Sequence, residues 1–246
     1  MNQTLRIATF NIHKGVSIFN ARLMLEEQRE LIRKLHADIV FLQEVRGSHA
    51  RHRKLTSGAQ YEFLADSVWS DFAYGQNAVR PGGHHGNAIL SKFPITQWEN
   101  EDISASPAEQ RGLLHCEIAI PSWDENLHCI CVHLGLFSVW RRQQLIALNH
   151  RINKLVPKNA PLIIAGDFND WTQKATGLLI EHQHLKEVFE VTHGKHARSF
   201  PALLPLFRLD RIYTRGFHIQ HSEVHSGITT AHASDHAALS ATLHRL

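Results

Sequence analysis

Two stretches of the chain share one plan, and that plan constrains the fold more than any other feature. In the first, Leu5-Arg6-Ile7-Ala8-Thr9-Phe10 reads as a strand ending at Asn11. Residues 21–36 then place Met24, Leu31, Ile32 and Leu35 on one helical face, and Asp38-Ile39-Val40-Phe41-Leu42 reads as a buried strand that delivers Gln43 and Glu44 at its end. In the second, Leu127 to Leu134 reads as a strand and residues 138–156 as an amphipathic helix carrying Leu145, Leu148, Ile152 and Leu155, stopped by Pro157. Leu162-Ile163-Ile164-Ala165 then runs into Gly166-Asp167-Phe168-Asn169. Two strand-helix-strand units, each ending in an acidic loop, predict two sheets packed face to face with helices outside.

The remaining segments fill in around these units. Gly86 to Ser91, Leu113 to Ile120 and Leu127 to Leu134 read as a meander, the last two joined through Pro121-Ser122-Trp123-Asp124, which has turn chemistry. Residues 46–86, rich in Gly, Ser, His and Arg, read as a long irregular excursion. A short helix near 174–184, a Pro-rich connection through Pro201 and Pro205, and strands at 208–214, 218–224 and 236–243 complete the chain. No linker or repeat divides it, so one domain over residues 1–246 is expected.

Composition excludes several classes. With 43% hydrophobic and 20% charged residues, the chain can bury a large core. The net charge of +3 is dispersed, and the longest basic run is the short Arg51-His52-Arg53-Lys54, so no basic tail marks a nucleic-acid binder, although an anionic substrate is compatible. The start MNQTLRIATF lacks a secretory pattern, and no run approaches the ~18 apolar residues of a membrane span. A cytoplasmic monomer without a transmembrane segment is expected. Cys116, Cys129 and Cys131 cannot all pair within the chain, and the last two, in an apolar strand, read as buried thiols.

The chemistry lies where apolar strands run out. A single Asp at a strand end is usually a turn or cap residue, but several such ends carrying Asn11, Glu44, Asp167, Asn169, Asp210 and Asp235 could meet at one rim of a sandwich. His133, in Cys131-Val132-His133-Leu134-Gly135, would alone pass for a core histidine, and twenty histidines lower the weight on any one of them. Arg111, just before the strand at Leu113, could grip a phosphate bidentately, as an Arg guanidinium does, or sit on the surface. His84 and His85, beside Gly82, Gly83 and Gly86, read as a flexible loop over the site. Phe137, Trp140, Arg141 and Arg142 follow His133 and either line a substrate rim or, for Trp140, pack the start of the helix.

The segments Thr9-Phe10-Asn11-Ile12-His13, Phe41-Leu42-Gln43-Glu44-Val45, Gly86-Asn87-Ala88-Ile89-Leu90-Ser91, Gly166-Asp167-Phe168-Asn169-Asp170, Leu209-Asp210-Arg211-Ile212 and Ser234-Asp235-His236 resemble, in order, the endonuclease/exonuclease/phosphatase superfamily. The resemblance spans residues 7 to 240. Asn-Ile-His-Lys-Gly and His-His-Gly-Asn-Ala-Ile-Leu-Ser are similar to its small bacterial YbhP-like branch. The resemblance implies a DNase I-like α+β fold, a four-layer α/β/β/α sandwich of two mainly antiparallel sheets, hydrolysing phosphate esters with Mg²⁺, or with Mn²⁺ in place of it. It implies metal ligation by Glu44 with Asn11 and Asp235, a water oriented or deprotonated by Asp167, a phosphate contact from Asn169, and an Asp210–His236 pair, with the general base left open between Asp167 and His236. His133 aligns with the histidine of DNase I-like and sphingomyelinase-like members, where it binds phosphate or protonates the leaving group, and this argues against the branch that cuts at abasic sites.

Two positions depart from the pattern. His13 stands where abasic-site enzymes have an acidic residue, and the Glu that supports the histidine of DNase I-like enzymes has no counterpart, with Gln76 or Asn77 nearest to its place. The expected function is a phosphodiesterase on DNA, RNA or a phospholipid-type diester. A phosphomonoesterase on a small or lipid-linked phosphate is the close alternative, and a non-catalytic binding protein on the same fold the distant one. A lipid substrate would call for exposed apolar loops at the rim, which Phe137, Trp140 and Leu203-Leu204-Pro205-Leu206-Phe207 would supply only if core packing did not claim them.

Overall fold

The computed structural model describes residues 3–16, 23–49, 59–65, 69, 71–80, 83–173, 177, 179 and 183–246. In chain order the strands are β1 (Thr4–Asn11), β2 (Ile39–His49), β3 (Asp71–Arg80), β4 (Gly83–Ser91), β5 (Ile95–Asp102), β6 (Gly112–Ile118), β7 (Leu127–His133), β8 (Leu162–Asp167), β9 (Lys186–Glu187), β10 (Asp210–Arg215), β11 (Phe217–His225) and β12 (Ala238–Arg245). The helices are α1 (Leu25–Lys34), α2 (Gln60–Ala65), α3 (Ser138–Leu155), α4 (Val188–His193) and α5 (Ile228–Ala233), and a 3₁₀ turn spans His13–Gly15. The strands form two six-stranded sheets, ordered β11-β12-β1-β2-β4-β3 and β5-β6-β7-β8-β10-β9.

The two predicted units supply the parallel pairings, β1 with β2 and β7 with β8, while the other described pairings are antiparallel. Their strands carry mostly apolar residues because both faces are covered. Between the sheets, Ile7, Phe41 and Ile89 meet Cys116, Cys131, Ile163 and Ile212. On the outer face of the first sheet Phe10, Val40 and Leu42 pack on Leu31 and Ile32 of α1, and outside the second sheet Ile130, Val132 and Ile164 pack on Leu145, Leu148 and Ile152 of α3. The result is the expected helix-sheet-sheet-helix order. Burying each such side chain is worth roughly 1.5–3 kcal/mol, and a one-residue slip would turn every one of them to the wrong face. The apolar pattern therefore also decides which residues project from the strand ends.

Several local expectations need correction. The stretch 46–86 holds β3, α2 and the end of β2, not one irregular excursion. Its strand went unseen because Ala73, Gly75 and Ala78 are small where β-branched residues would announce a strand. The fit is close: a Cβ on Gly86 would lie 1.8 Å from the Gly75 carbonyl oxygen. His84 and His85 accordingly belong to β4, with His84 Nδ1 2.9 Å from the Tyr74 hydroxyl, and not to a loop over the site. The meander consists of β5, β6 and β7, since β4 lies in the other sheet. β5, an edge strand of mostly polar residues, gave no alternating signal, and β9 with α4 is too short, at two and six residues, to show a period. Leu155 is 38% exposed and so leaves the buried face of α3. The run 51–54, Gly82 and most of the helix expected near 174–184 lie outside the described residues. The three cysteines are free and buried, and burial raises their thiol pKa values, that of Cys131 to about 12.

Candidate functional site

The strand ends gather the candidate residues from both sheets. Asn11 closes β1, and Asp235 and His236 sit between α5 and β12 in the first sheet. His133 closes β7, Asp167 closes β8 and Asp210 opens β10 in the second, and Asp167 is the register partner of both. Glu44 is placed differently. Between Leu42 and Val45 the β2 strand carries one residue more than β4 does between Ala88 and Gly86, so a β-bulge interrupts the ladder at Gln43-Glu44. Glu44 has φ +58, a left-handed conformation that costs a non-glycine residue roughly 1–3 kcal/mol. The bulge changes the alternation of the strand and turns the Glu44 carboxylate into the cleft instead of the core.

Asp167 Oδ2 is the point on which these groups converge. Asn11 Nδ2 donates to it at 3.1 Å, His133 Nε2 lies 3.6 Å away and His236 Nε2 3.8 Å away. Asp167 Oδ1 accepts the Asn169 backbone N–H at 2.9 Å, in a turn where Asn169 takes φ +47. The Asn169 side chain uses one of its two amide N–H groups on the Leu134 carbonyl, at 2.9 Å. His236 Nδ1 lies 2.8 Å from Asp210 Oδ2, so its imidazole stands between two buried carboxylates. Ser234 ties the end of β1 to the turn before its neighbour β12, its Oγ donating to Asn11 O at 2.6 Å and accepting from His236 N at 3.2 Å.

The electrostatics follow from this packing. Burial alone would depress the His236 pKa, but Asp210 and then Asp167 raise it to about 10, so the ring is a cation at neutral pH. Burial raises the pKa of Asp167 above the usual carboxylate range, with Asp210 adding to it and His236 opposing. His133 is pushed well below its ordinary value by burial and then by Arg111, and is neutral. For Glu44 burial works upward, yet the positive groups around it hold its pKa below the usual carboxylate range. With His133 held neutral, the lasting part of that pull is the Lys14 ammonium at 3.3 Å.

Around Glu44 opens a cleft of about 620 Å³ lined by Lys14, Arg46, His84, His85, Arg111, Phe137 and Trp140 among others. A small recess off the same region joins Glu44, Asn77, Asn87, Arg111 and His133. Arg111 lies in this cleft but is held by Glu109, at 2.9 Å, and by Leu134 O, at 3.3 Å. Asn77 does reach the recess beside His133, with its Oδ1 taken by Asn100 at 3.1 Å, and the carboxylate present there is Glu44. The proposed metal ligands are not gathered as one cluster: Glu44 pairs with Lys14, while Asp235 stands 3.4 Å from His13. Among the described residues, groups of at least three side chains whose ligating atoms lie within 4.8 Å of one another are Asp167, Asp210 and His236, and Glu187, Glu190 and His196.

Lys14, which pairs with Glu44, Asp170, which pairs with Arg141, and Glu109, which pairs with Arg111 two residues on, carried no signal in the sequence, and Asn87 had no assigned role. Asn87 Nδ2 bridges the Gly112 and Cys131 carbonyls across the two sheets, at 3.0 and 3.3 Å. Its place in the Gly-Asn-Ala segment was the available signal.

A family model described as Endonuclease/Exonuclease/phosphatase family matches residues 8–236. The chain belongs to this family. YbhP of Escherichia coli (strain K12), whose name carries the word uncharacterized, is 48% identical over 243 residues, covering 97% of this chain and 96% of its own. Among family structures, an endonuclease/exonuclease/phosphatase from Beutenbergia cavernae has a TM-score of 0.78 at 20% identity, covering 99% of this chain and 72% of that one. A mannosyl-6-phosphatase, Bt3783 of Bacteroides thetaiotaomicron, has a TM-score of 0.73 at 17% identity, covering 97% and 99%. These structural likenesses support the four-layer fold. Family membership supports hydrolysis of phosphate esters.

Proposed function

We propose that residues 1–246 form one catalytic unit that hydrolyses phosphodiesters with a divalent cation, Mg²⁺ or Mn²⁺, whose ligands would come from Glu44, Asn11 and Asp235. One observation carries this reading: Asn11, His133 and His236, from strand ends of two different sheets, all converge on Asp167 Oδ2. Among the proposed ligands the Glu44 carboxylate suits a hard cation. Glu44 is anionic across the physiological range, and its buried Oε2, although within ion-pair reach of Lys14, makes no hydrogen bond. Bound there, the cation supplies Lewis acidity toward the phosphoryl oxygens.

The protein's own groups divide the remaining work. Asp167, which burial makes more basic than an exposed aspartate, orients the attacking water and takes its proton, held in place by Asn11 and the Asn169 backbone. His236, fixed by Asp210, presents a cation to the developing charge on phosphorus oxygens. Asn169 offers its remaining amide N–H to the phosphate, and Arg111, braced by Glu109, faces the same cleft. The neutral His133 ring lies on the far side of Asp167 from Asp210, where it hydrogen-bonds the leaving oxygen.

The test is release of nitrophenol from bis(p-nitrophenyl) phosphate and from p-nitrophenyl phosphate by the purified chain, with Mg²⁺, with Mn²⁺ and with chelator. Faster cation-dependent turnover of the diester is expected. Preference for the monoester would replace this proposal with a phosphomonoesterase, and inertness on both would point to a binding protein.

A further inference from the structure

The apolar side chains left in solvent concentrate along one side of the site. Phe137 (61% exposed), Trp171 (43%), Leu204 (68%), Leu206 (52%), Phe207 (46%) and Ile228 (69%) come from four separate segments. Contacts join these segments into one arc. Arg141, one turn beyond Phe137, pairs with Asp170 at 3.9 Å, next to Trp171. The Trp171 and Phe207 rings lie 5.0 Å apart, and Gly227 N donates to Ala202 O at 3.0 Å, which brings Ile228 beside the 203–207 loop. The arc borders the site itself, since Phe200 packs on the His236 ring at 5.0 Å and Ala202 N donates to Asp235 O at 2.7 Å. Contiguous apolar surface of this kind marks an interaction site more often than chance exposure.

Cations gather at the end of the same loop. Lys195, Arg198 and Arg208 line, with Pro205, a pocket of about 380 Å³. Among the described residues no carboxylate pairs with any of the three. Burial, then the Arg198 and Arg211 guanidiniums, lowers the pKa of Arg208, as cations packed without an acid require.

We propose that this arc and its cationic pocket dock the protein on an anionic phospholipid surface, placing the site over lipid phosphate esters. The substrate clause rests on the phosphodiesterase reading, and the docking clause does not. A bilayer surface offers apolar chains beneath a layer of anionic headgroups, and it matches aliphatic tips beside unpaired cations. Single-stranded nucleic acid calls for aromatic platforms along a basic groove, and Leu204, Leu206 and Ile228 have no ring to stack on. A two-fold pairing of this face with a second copy would bring like charges together.

Co-sedimentation with vesicles of phosphatidylcholine mixed with phosphatidylglycerol, measured on the Asp167→Asn chain so that no lipid is consumed, tests the docking. The chain is expected to sediment with mixed vesicles and less with phosphatidylcholine alone. The pairs Leu204→Ser with Leu206→Ser, and Lys195→Ala with Arg198→Ala, should each weaken partitioning roughly tenfold or more. In the otherwise native chain, both pairs should leave hydrolysis of soluble bis(p-nitrophenyl) phosphate unchanged, which also certifies folding. Absence of vesicle binding, binding that neither pair alters, a dimer dissociated by the leucine pair, or capture of a single-stranded oligonucleotide by these residues in place of vesicles would overturn the proposal. Vesicle binding by a chain inert on the soluble diester would support the docking and remove the phosphodiesterase reading.

Discussion

At the scale of single residues the site is a problem in charge placement. Asp167 sits in a buried position that favours its protonated form, and its ionised form is supported by Asn11, by the Asn169 backbone and by a histidine that is itself held cationic by Asp210. Glu44 is the opposite case, a carboxylate kept ionised beside Lys14. If it holds the cation, Glu44→Gln, which keeps the shape and removes the charge, should weaken Mn²⁺ binding by at least the ~10–100-fold typical of losing an outer-shell partner. Titration calorimetry with and without the substitution measures this, and equal affinities would remove Glu44 from the metal site. The identity of these residues was legible in the sequence, because Gln43-Glu44, Gly166-Asp167-Phe168-Asn169 and Ser234-Asp235-His236 are short and specific. Their partners were not. Lys14 reaches Glu44 through a loop path with no periodic signal, and Glu109, two residues before Arg111, stands in a turn with no motif to mark it.

At the scale of elements, what the sequence revealed followed burial. β1, β2, β7 and β8 are covered on both faces and read as apolar runs, while the polar edge strand β5 and the small-residue strand β3 did not. The pairing of β3 with β4 depends on Gly86, so Gly86→Ala, whose methyl would meet the Gly75 carbonyl, should lower stability by more than about 1 kcal/mol. A denaturant midpoint unchanged by this substitution would contradict the register. A second element-level effect concerns the histidines that link β6, β7 and α3. His115 Nε2 lies 3.0 Å from His128 Nδ1, and Arg151 Nε reaches His115 Nδ1 at 3.3 Å. Burial, then His128 and Arg151, lowers the His115 pKa to about 3. Between that value and the ordinary histidine pKa of ~6.5 the unfolded chain takes up a proton that the folded chain refuses. Stability should therefore fall as pH drops below ~6.5, by no more than about 1.4 kcal/mol per pH unit for this group. Denaturant titrations of the native chain and of His115→Gln at pH 7 and pH 5 check this. The variant should lose less stability over that interval, and equal losses would show that His115 charges in the folded state.

At the scale of the whole molecule, the two strand-helix-strand units set the architecture. Each sends an apolar strand through a covered sheet and releases a carboxylate at the same rim, so packing the sheets face to face assembles a site that neither sheet holds alone. That much could be read from pattern and motif order. What the rim presents to solvent could not, because a Leu-Leu-Pro-Leu-Phe run is as apolar in a core as on a surface, and only the packed structure leaves Leu203, Leu204, Leu206 and Phe207 outside. In the proposed mechanism both sheets converge on Asp167 to activate a water. Cation-dependent hydrolysis of bis(p-nitrophenyl) phosphate by the native chain and by Asp167→Asn, compared at equal thermal stability, tests it most directly. A fall in kcat of about 10²–10⁴-fold is expected in the variant. A native chain inert on the diester, or a variant that turns over as fast as the native chain, would contradict it.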